Sequence, residues 1–101
     1  MQDKIVDLIV AEATELNEQI KNPIPVDKGV NAPLFGGYDG ILNSIGLVTL
    51  IVAVEQAVED AFETPVILAN EKAMSMKNSP FRTIGALADY IIELLKDDGN
   101  G

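Results

Sequence analysis

The chain has 101 residues, enough for one domain with a small core, and 48% of them are hydrophobic, with three Phe, two Tyr and no Trp, so that core must be built from Ile, Val, Leu and Ala. A formal charge of −9, from 16 acidic and 7 basic residues, argues against a nucleic-acid partner, which needs a basic face. With neither Cys nor His, the chain can form no disulfide or thiolate metal site and has no imidazole to act as base or ligand, which excludes a serine hydrolase triad.

Met1-Gln2-Asp3-Lys4 begins with mixed charge and runs into an amphipathic pattern, so no secretory signal is expected and the cytoplasm is the default location. Ile5, Leu8, Ile9, Ala13, Leu16 and Ile20 recur at helical spacing between Asp3, a candidate N-cap, and the stop signal Asn22-Pro23. That pattern predicts a first helix over about Lys4 to Lys21. Asn22 to Asn43 holds Pro23, Pro25 and Pro33 with Gly29, Gly36, Gly37 and Gly40, and reads as a loop. A connection of that length needs a function or an anchor, and Leu34 and Phe35 are the apolar residues able to supply one.

A second helix is expected from Ile45 to about Phe62, with Asn43 as N-cap and Ser44 at the first helical position. Val48, Ile51, Val52, Val54 and Val58 are β-branched and would suit a strand. Length decides for helix, because no turn residue interrupts the stretch between Gly46 and Pro65. Its most apolar run, Ile45 to Val54, is far short of the roughly 20 residues that span a bilayer, so no membrane insertion is expected. Leu47, Leu50, Ile51, Val54, Val58 and Ala61 form a stripe for the core. Ile45, Val48 and Val52 form another beside Ser44, expected to be an exposed docking surface unless the long loop covers it. Glu55, Glu59, Asp60 and Glu63 gather toward the C-terminal end, where negative charge opposes the helix dipole. They form either a solvated acidic face or a patch for basic partners.

Thr64-Pro65 breaks the chain. A short third helix is expected over about Glu71 to Met76 behind Asn70, with Met74 and Met76 as packing, and then a loop from Lys77 to Pro80. The final helix starts near Thr83 as N-cap, buries Ile84, Leu87, Ala88, Ile91 and Leu95, and carries Lys96 at the negative end of its dipole. Asp97 to Gly101 are expected to be disordered.

Leu42-Asn43-Ser44-Ile45 ahead of an apolar helix resembles the phosphopantetheine attachment site of acyl carrier proteins, whose usual core is Asp-Ser-Leu. Leu34-Phe35-Gly36, Leu47 to Glu55, and Asn78-Ser79-Pro80-Phe81-Arg82-Thr83-Ile84 extend the resemblance, over Lys4 to Leu95, to stand-alone carriers often found in specialised biosynthetic pathways. The resemblance implies one carrier domain over residues 1–101, with a structured core of about 4–96. Its fold would be an all-α four-helix acyl-carrier-like bundle with a long loop between helices one and two and a short third helix. It also implies a monomeric, non-enzymatic phosphoprotein with no bound metal. A phosphopantetheinyl transferase would attach 4'-phosphopantetheine from coenzyme A to Ser44. An acyl- or aminoacyl-activating ligase or an acyltransferase would then load the arm's thiol as a thioester. Docking would fall on Ile45, Val48, Val52, Glu55 and Glu59. Asn43 departs from the usual Asp: it caps as well but lacks the charge that helps the transferase and its magnesium engage. Taken alone, Asn and Ser before an apolar run are also ordinary helix-start residues. The alternative is therefore a non-carrying helical protein-interaction module with the carrier fold.

Overall fold

The computed structural model describes residues 2–20, 23–35, 41–68 and 80–100, and of residues 2, 44 and 97–100 the backbone only. The expected short helix over Glu71 to Met76 with its Asn70 cap, the methionines Met74 and Met76, and the glycine stretch Gly36 to Gly40 lie outside the described residues. The elements in chain order are α1 (Gln2–Asn17), a 3₁₀ helix (Val26–Asn31), α2 (Ser44–Phe62) and α3 (Ile84–Asn100). The described residues are all-α: their only β pairing is an isolated antiparallel bridge between Pro33 and Thr83.

α1 is the central helix. It packs against both α2 and α3, whereas no Cα pair of α2 and α3 comes within 8 Å. Ile5, Ile9, Ala13 and Leu16 of α1 are buried, one residue per turn along one line, as an amphipathic helix requires. They meet Leu47, Leu50, Ile51, Val54 and Val58 of α2 and Ile84, Leu87, Ala88 and Ile91 of α3 in one cluster. Leu8, Ile20 and Leu95, expected inside, pack half-buried against it, and Ala61 is half-buried too.

Three helix limits differ from the sequence reading. α1 begins at Gln2, so Asp3 lies in the first turn rather than at the cap, where its charge still favours the dipole. α1 also ends at Asn17 rather than Lys21. The Asn17 amide is taken up by a later residue: its Nδ2 donates to the Ile24 carbonyl at 3.0 Å and its Oδ1 accepts from the Ile24 N–H at 2.6 Å. Side-chain bonds of this kind offer the backbone an alternative to the helix, and here they turn the chain back. α3 continues to Asn100, past the expected stop at Lys96. Each further residue adds one helical bond for one residue fixed, which is close to neutral once a helix exists.

The connection between α1 and α2 is less structureless than its prolines suggest. The 3₁₀ helix kinks at Gly29, where φ is 60°, a region open to glycine without steric cost. Beyond it the chain runs alongside residues 81–84. Leu34 N–H donates to the Arg82 carbonyl at 2.8 Å, Phe35 N–H to Phe81 at 3.0 Å, and Ile84 N–H to Ala32 at 3.1 Å. The Leu34 carbonyl then accepts from both Ile41 and Leu42, at 3.0 and 2.8 Å. Ala32 and Leu34 are fully buried, so the expected anchoring at Leu34 is present, and half-buried Phe35 packs against the same core.

Gly85, in the first turn of α3, is set by this loop: a Cβ there would lie 2.9 Å from the Val30 carbonyl oxygen and 3.0 Å from the Val30 Cβ. Alanine would gain about 1 kcal/mol of helix propensity. Overpacking against a backbone carbonyl costs ~1–3 kcal/mol, and the carbonyl moves only if the 3₁₀ helix moves. Gly85→Ala is therefore expected to lower stability, measured as a fall in the thermal midpoint. An unchanged or raised midpoint would show that the loop gives way freely.

Candidate functional site

The first turn of α2 is built from its cap. Asn43 has extended backbone angles, φ −85° and ψ −179°, and its Oδ1 accepts from the Gly46 N–H at 2.8 Å. Its carbonyl accepts the first intrahelical bond, from Leu47 N–H at 2.9 Å. This places Asn43 at the N-cap and Ser44 at the first helical position, as the sequence pattern predicts. Buried Leu42 anchors the approach. A Cβ on Gly46 would lie 3.1 Å from Leu42 Cδ2 and 3.4 Å from Asn43 Oδ1, so glycine leaves the cap and its anchor room to close together.

The electrostatics of this turn favour an anion. Helix geometry leaves the first four N–H groups without intrahelical acceptors; the cap takes the one on Gly46, and those of Ser44 and Ile45 remain at the positive end of the dipole. The first turn of α2 contains no acidic residue, so a phosphodiester there would meet no like charge within the turn.

Of the residues expected to form a docking face, Ile45, Val48 and Val52 are 78%, 52% and 58% exposed. The described part of the long loop leaves them open. Helical register places 48, 55 and 59 along the line that starts at residue 44, with 45 and 52 beside it. Glu59 is exposed, but Glu55 is half-buried, and its Oε2 accepts the Leu68 N–H at 2.6 Å. Asp60, also exposed, accepts from the Gln56 amide at 3.3 Å. The acidic end of α2 is therefore not uniform: Glu59 faces solvent, while Glu55 is engaged within the chain.

A second feature lies between α1 and α2. A cleft of about 190 Å³ has Leu16 and Leu50 beneath it and Glu12, Glu15, Gln19 and Thr49 around it. Glu12 sits one turn before Glu15, and its carboxyl is raised above its ordinary range, first by burial and then by the hydrogen bond and negative charge of Glu15. Sequence reasoning passed over this pair, although two acids three residues apart on one helix are a legible like-charge contact.

Among the described residues, no group of His, Cys, Asp and Glu side chains is arranged to hold a metal ion, and no helix is long and apolar enough to cross a membrane. Comparison of the chain with protein-family models, with curated proteins and with solved structures found no match.

Two outcomes are expected of this region. Val48→Glu should change stability by no more than about 0.5 kcal/mol, because the position is open to solvent, whereas Leu47→Glu, one residue away at 1% exposure, should unfold the chain. Thermal melts of the pair check this, and a collapsed Val48→Glu melt would place Val48 in the core. The second outcome concerns Glu12. A carboxyl whose pKa rises on folding holds its proton more tightly in the native chain, so its ionised form opposes folding. That penalty is complete above the raised pKa and is relieved as pH falls through it toward the unfolded value of 4.5. Glu12→Gln should flatten this part of the stability curve, read from urea midpoints between about pH 4 and pH 7. An unaltered slope would remove Glu12 as its source.

Proposed function

We propose that the chain is an acyl carrier protein, in which Ser44 holds a 4'-phosphopantetheine arm and the arm carries an acyl or aminoacyl group as a thioester. The observation that carries this reading is the first turn of α2: Ser44 follows an Asn43 cap in an acid-free turn and stands beside the exposed Ile45, Val48 and Val52. The likeness of Leu42-Asn43-Ser44-Ile45 to the carrier attachment motif gives that turn its chemistry. The fold proposed is the four-helix carrier bundle, and the described residues contain three α-helices.

The chain's own residues position the group rather than react with it. In the attachment step a transferase brings the Ser44 hydroxyl to the pyrophosphate of coenzyme A. The new serine phosphodiester forms as the phosphoanhydride bond breaks, the adenosine bisphosphate portion leaves, and the serine proton passes to a base on the transferase. Asn43 holds the turn closed, and the N–H groups of Ser44 and Ile45 face the resulting negative charge. When bound, the arm supplies a thiol, which this cysteine-free chain otherwise lacks. The partners are the transferase and the ligase or acyltransferase that loads the thiol. They meet the chain, a cytoplasmic monomer in this reading, on the apolar stripe and on Glu59.

The test is intact mass after incubating the apo chain with coenzyme A, magnesium and a broad-specificity phosphopantetheinyl transferase. One arm should be added to the wild-type chain and none to Ser44→Ala. No gain in the wild type overturns the carrier reading in favour of a non-carrying interaction module with the same fold. A gain in Ser44→Ala moves the site to another hydroxyl.

A further inference from the structure

The segment that follows α2 presents one apolar side chain to solvent and hides that residue's neighbours. Val66 and Leu68 belong to the core cluster, whereas Ile67 between them is 70% exposed. Its place is set from α2: the Leu68 N–H reaches the Glu55 carboxylate thirteen residues back at 2.6 Å. A carboxylate makes a stronger bond to an N–H than a neutral acceptor does. Ile67 makes a polar interaction of its own, which in an aliphatic residue runs through the backbone, so its side chain stands on a chain held at two adjacent residues. Glu55 follows Val48 by about two turns on the outward line of α2, and it follows Val52 by three residues, a spacing that makes side chains neighbours. Ile67 therefore flanks the face that bears the exposed Ile45, Val48 and Val52.

We infer that the docking surface continues from α2 onto Ile67, and that Glu55 is a positioning residue, which serves docking by holding the Leu68 backbone rather than by meeting a basic group. The inference rests on the carrier reading and deepens it by naming the chemistry of the partner. The occupant is a partner protein with an apolar hollow rimmed by lysine or arginine. Residues 44–68 contain Glu55, Glu59, Asp60 and Glu63 but no basic residue. With Glu55 engaged inside the chain, the exposed Glu59 and Glu63 supply the charge. Ile45, Val48, Val52 and Ile67 supply the apolar contact. An interface of standard size covers about 800 Å² of each partner, which has room for the segment as well as the helix face.

Kinetics of modification of the apo chain, with the coenzyme A, magnesium and broad-specificity transferase of the mass experiment, provide the test. Ile67→Ser should raise the KM for the chain roughly three- to tenfold, the scale of a contact residue at an interface. It should leave kcat unchanged, since docking is lost and not chemistry. Val30→Ser, which removes an apolar side chain 43% exposed on the 3₁₀ helix, should leave KM as it is. Glu55→Ala should raise KM toward the Ile67→Ser value, and the double variant should add little to Ile67→Ser, because both act at one contact. Glu55→Gln keeps an acceptor oxygen and should raise KM less than Glu55→Ala. A wild-type KM in Ile67→Ser, or an equal rise in Val30→Ser, overturns the surface. Equal effects of Glu55→Gln and Glu55→Ala overturn the positioning role, because a partner that reads the charge loses it in both. If Glu55→Ala does not fold, an additive rise in KM when Glu55→Gln is combined with Ile67→Ser overturns that role instead. An unmodified wild type overturns the carrier reading, a failure distinct from the others and one that removes this surface with it.

Discussion

The organisation of this protein depends on one residue of its longest connection. Leu34 buries its side chain completely, donates its N–H to Arg82 ahead of α3, and accepts from both Ile41 and Leu42 ahead of α2. A fully buried leucine contributes roughly 1.5–3 kcal/mol, and its backbone groups must be bonded once they are taken from water. Burial and bonding therefore reinforce one another at one point. The consequence is positional: the starts of α2 and α3 are referenced to the same residue, although no Cα pair of the two helices comes within 8 Å. The Asn43 cap and the serine behind it are thus placed by the core and not only by the local chain.

The parts legible in the sequence are those whose signal sits in the residues that make the contact. Asn43 and Thr83 could be read as caps because a cap is a side-chain bond three residues long, and both make it, Asn43 to Gly46 and Thr83 to the Ala86 N–H at 3.1 Å. The buried lines of α1, α2 and α3 were legible from period alone. Contacts whose partner lies far along the chain were not. The apolar period through Ile20 kept α1 going, and nothing local shows that the Asn17 amide belongs to Ile24. Gly85 looks like a weak point of a helix until the Val30 carbonyl is placed beside it. Glu55 shows its charge and its face, but its engagement by Leu68 depends on how the chain returns after Glu63.

Ser44 illustrates the same division for function. Its position at the first helical residue follows from local rules, and the structure reproduces it. What such a position is for does not follow from those rules, because asparagine and serine open many helices for stability alone. The proposal gains its weight from the surroundings of the turn. The absence of acid makes the turn receptive to an anion, and three neighbouring apolar side chains stay in water when folding could have hidden them. Single exposed apolar residues are ordinary, and the proposal takes these three, adjoining on one helix, as the docking surface.

α2 divides its circumference among three tasks. Leu47, Leu50, Ile51, Val54 and Val58 hold it to the core, Ile45, Val48 and Val52 are left outward, and Glu55 lies on the outward line but turns its charge back to the chain. A helix apolar on both faces would ordinarily be buried on both. Here the second face is open at Ile45, Val48 and Val52, and farther along Glu55 accepts the Leu68 N–H. The open part adjoins the capped turn, whose geometry is fixed through Leu42 and Leu34. The exposed apolar residues therefore stand beside the turn that the core positions, and the internally bonded carboxylate stands farther along the same helix.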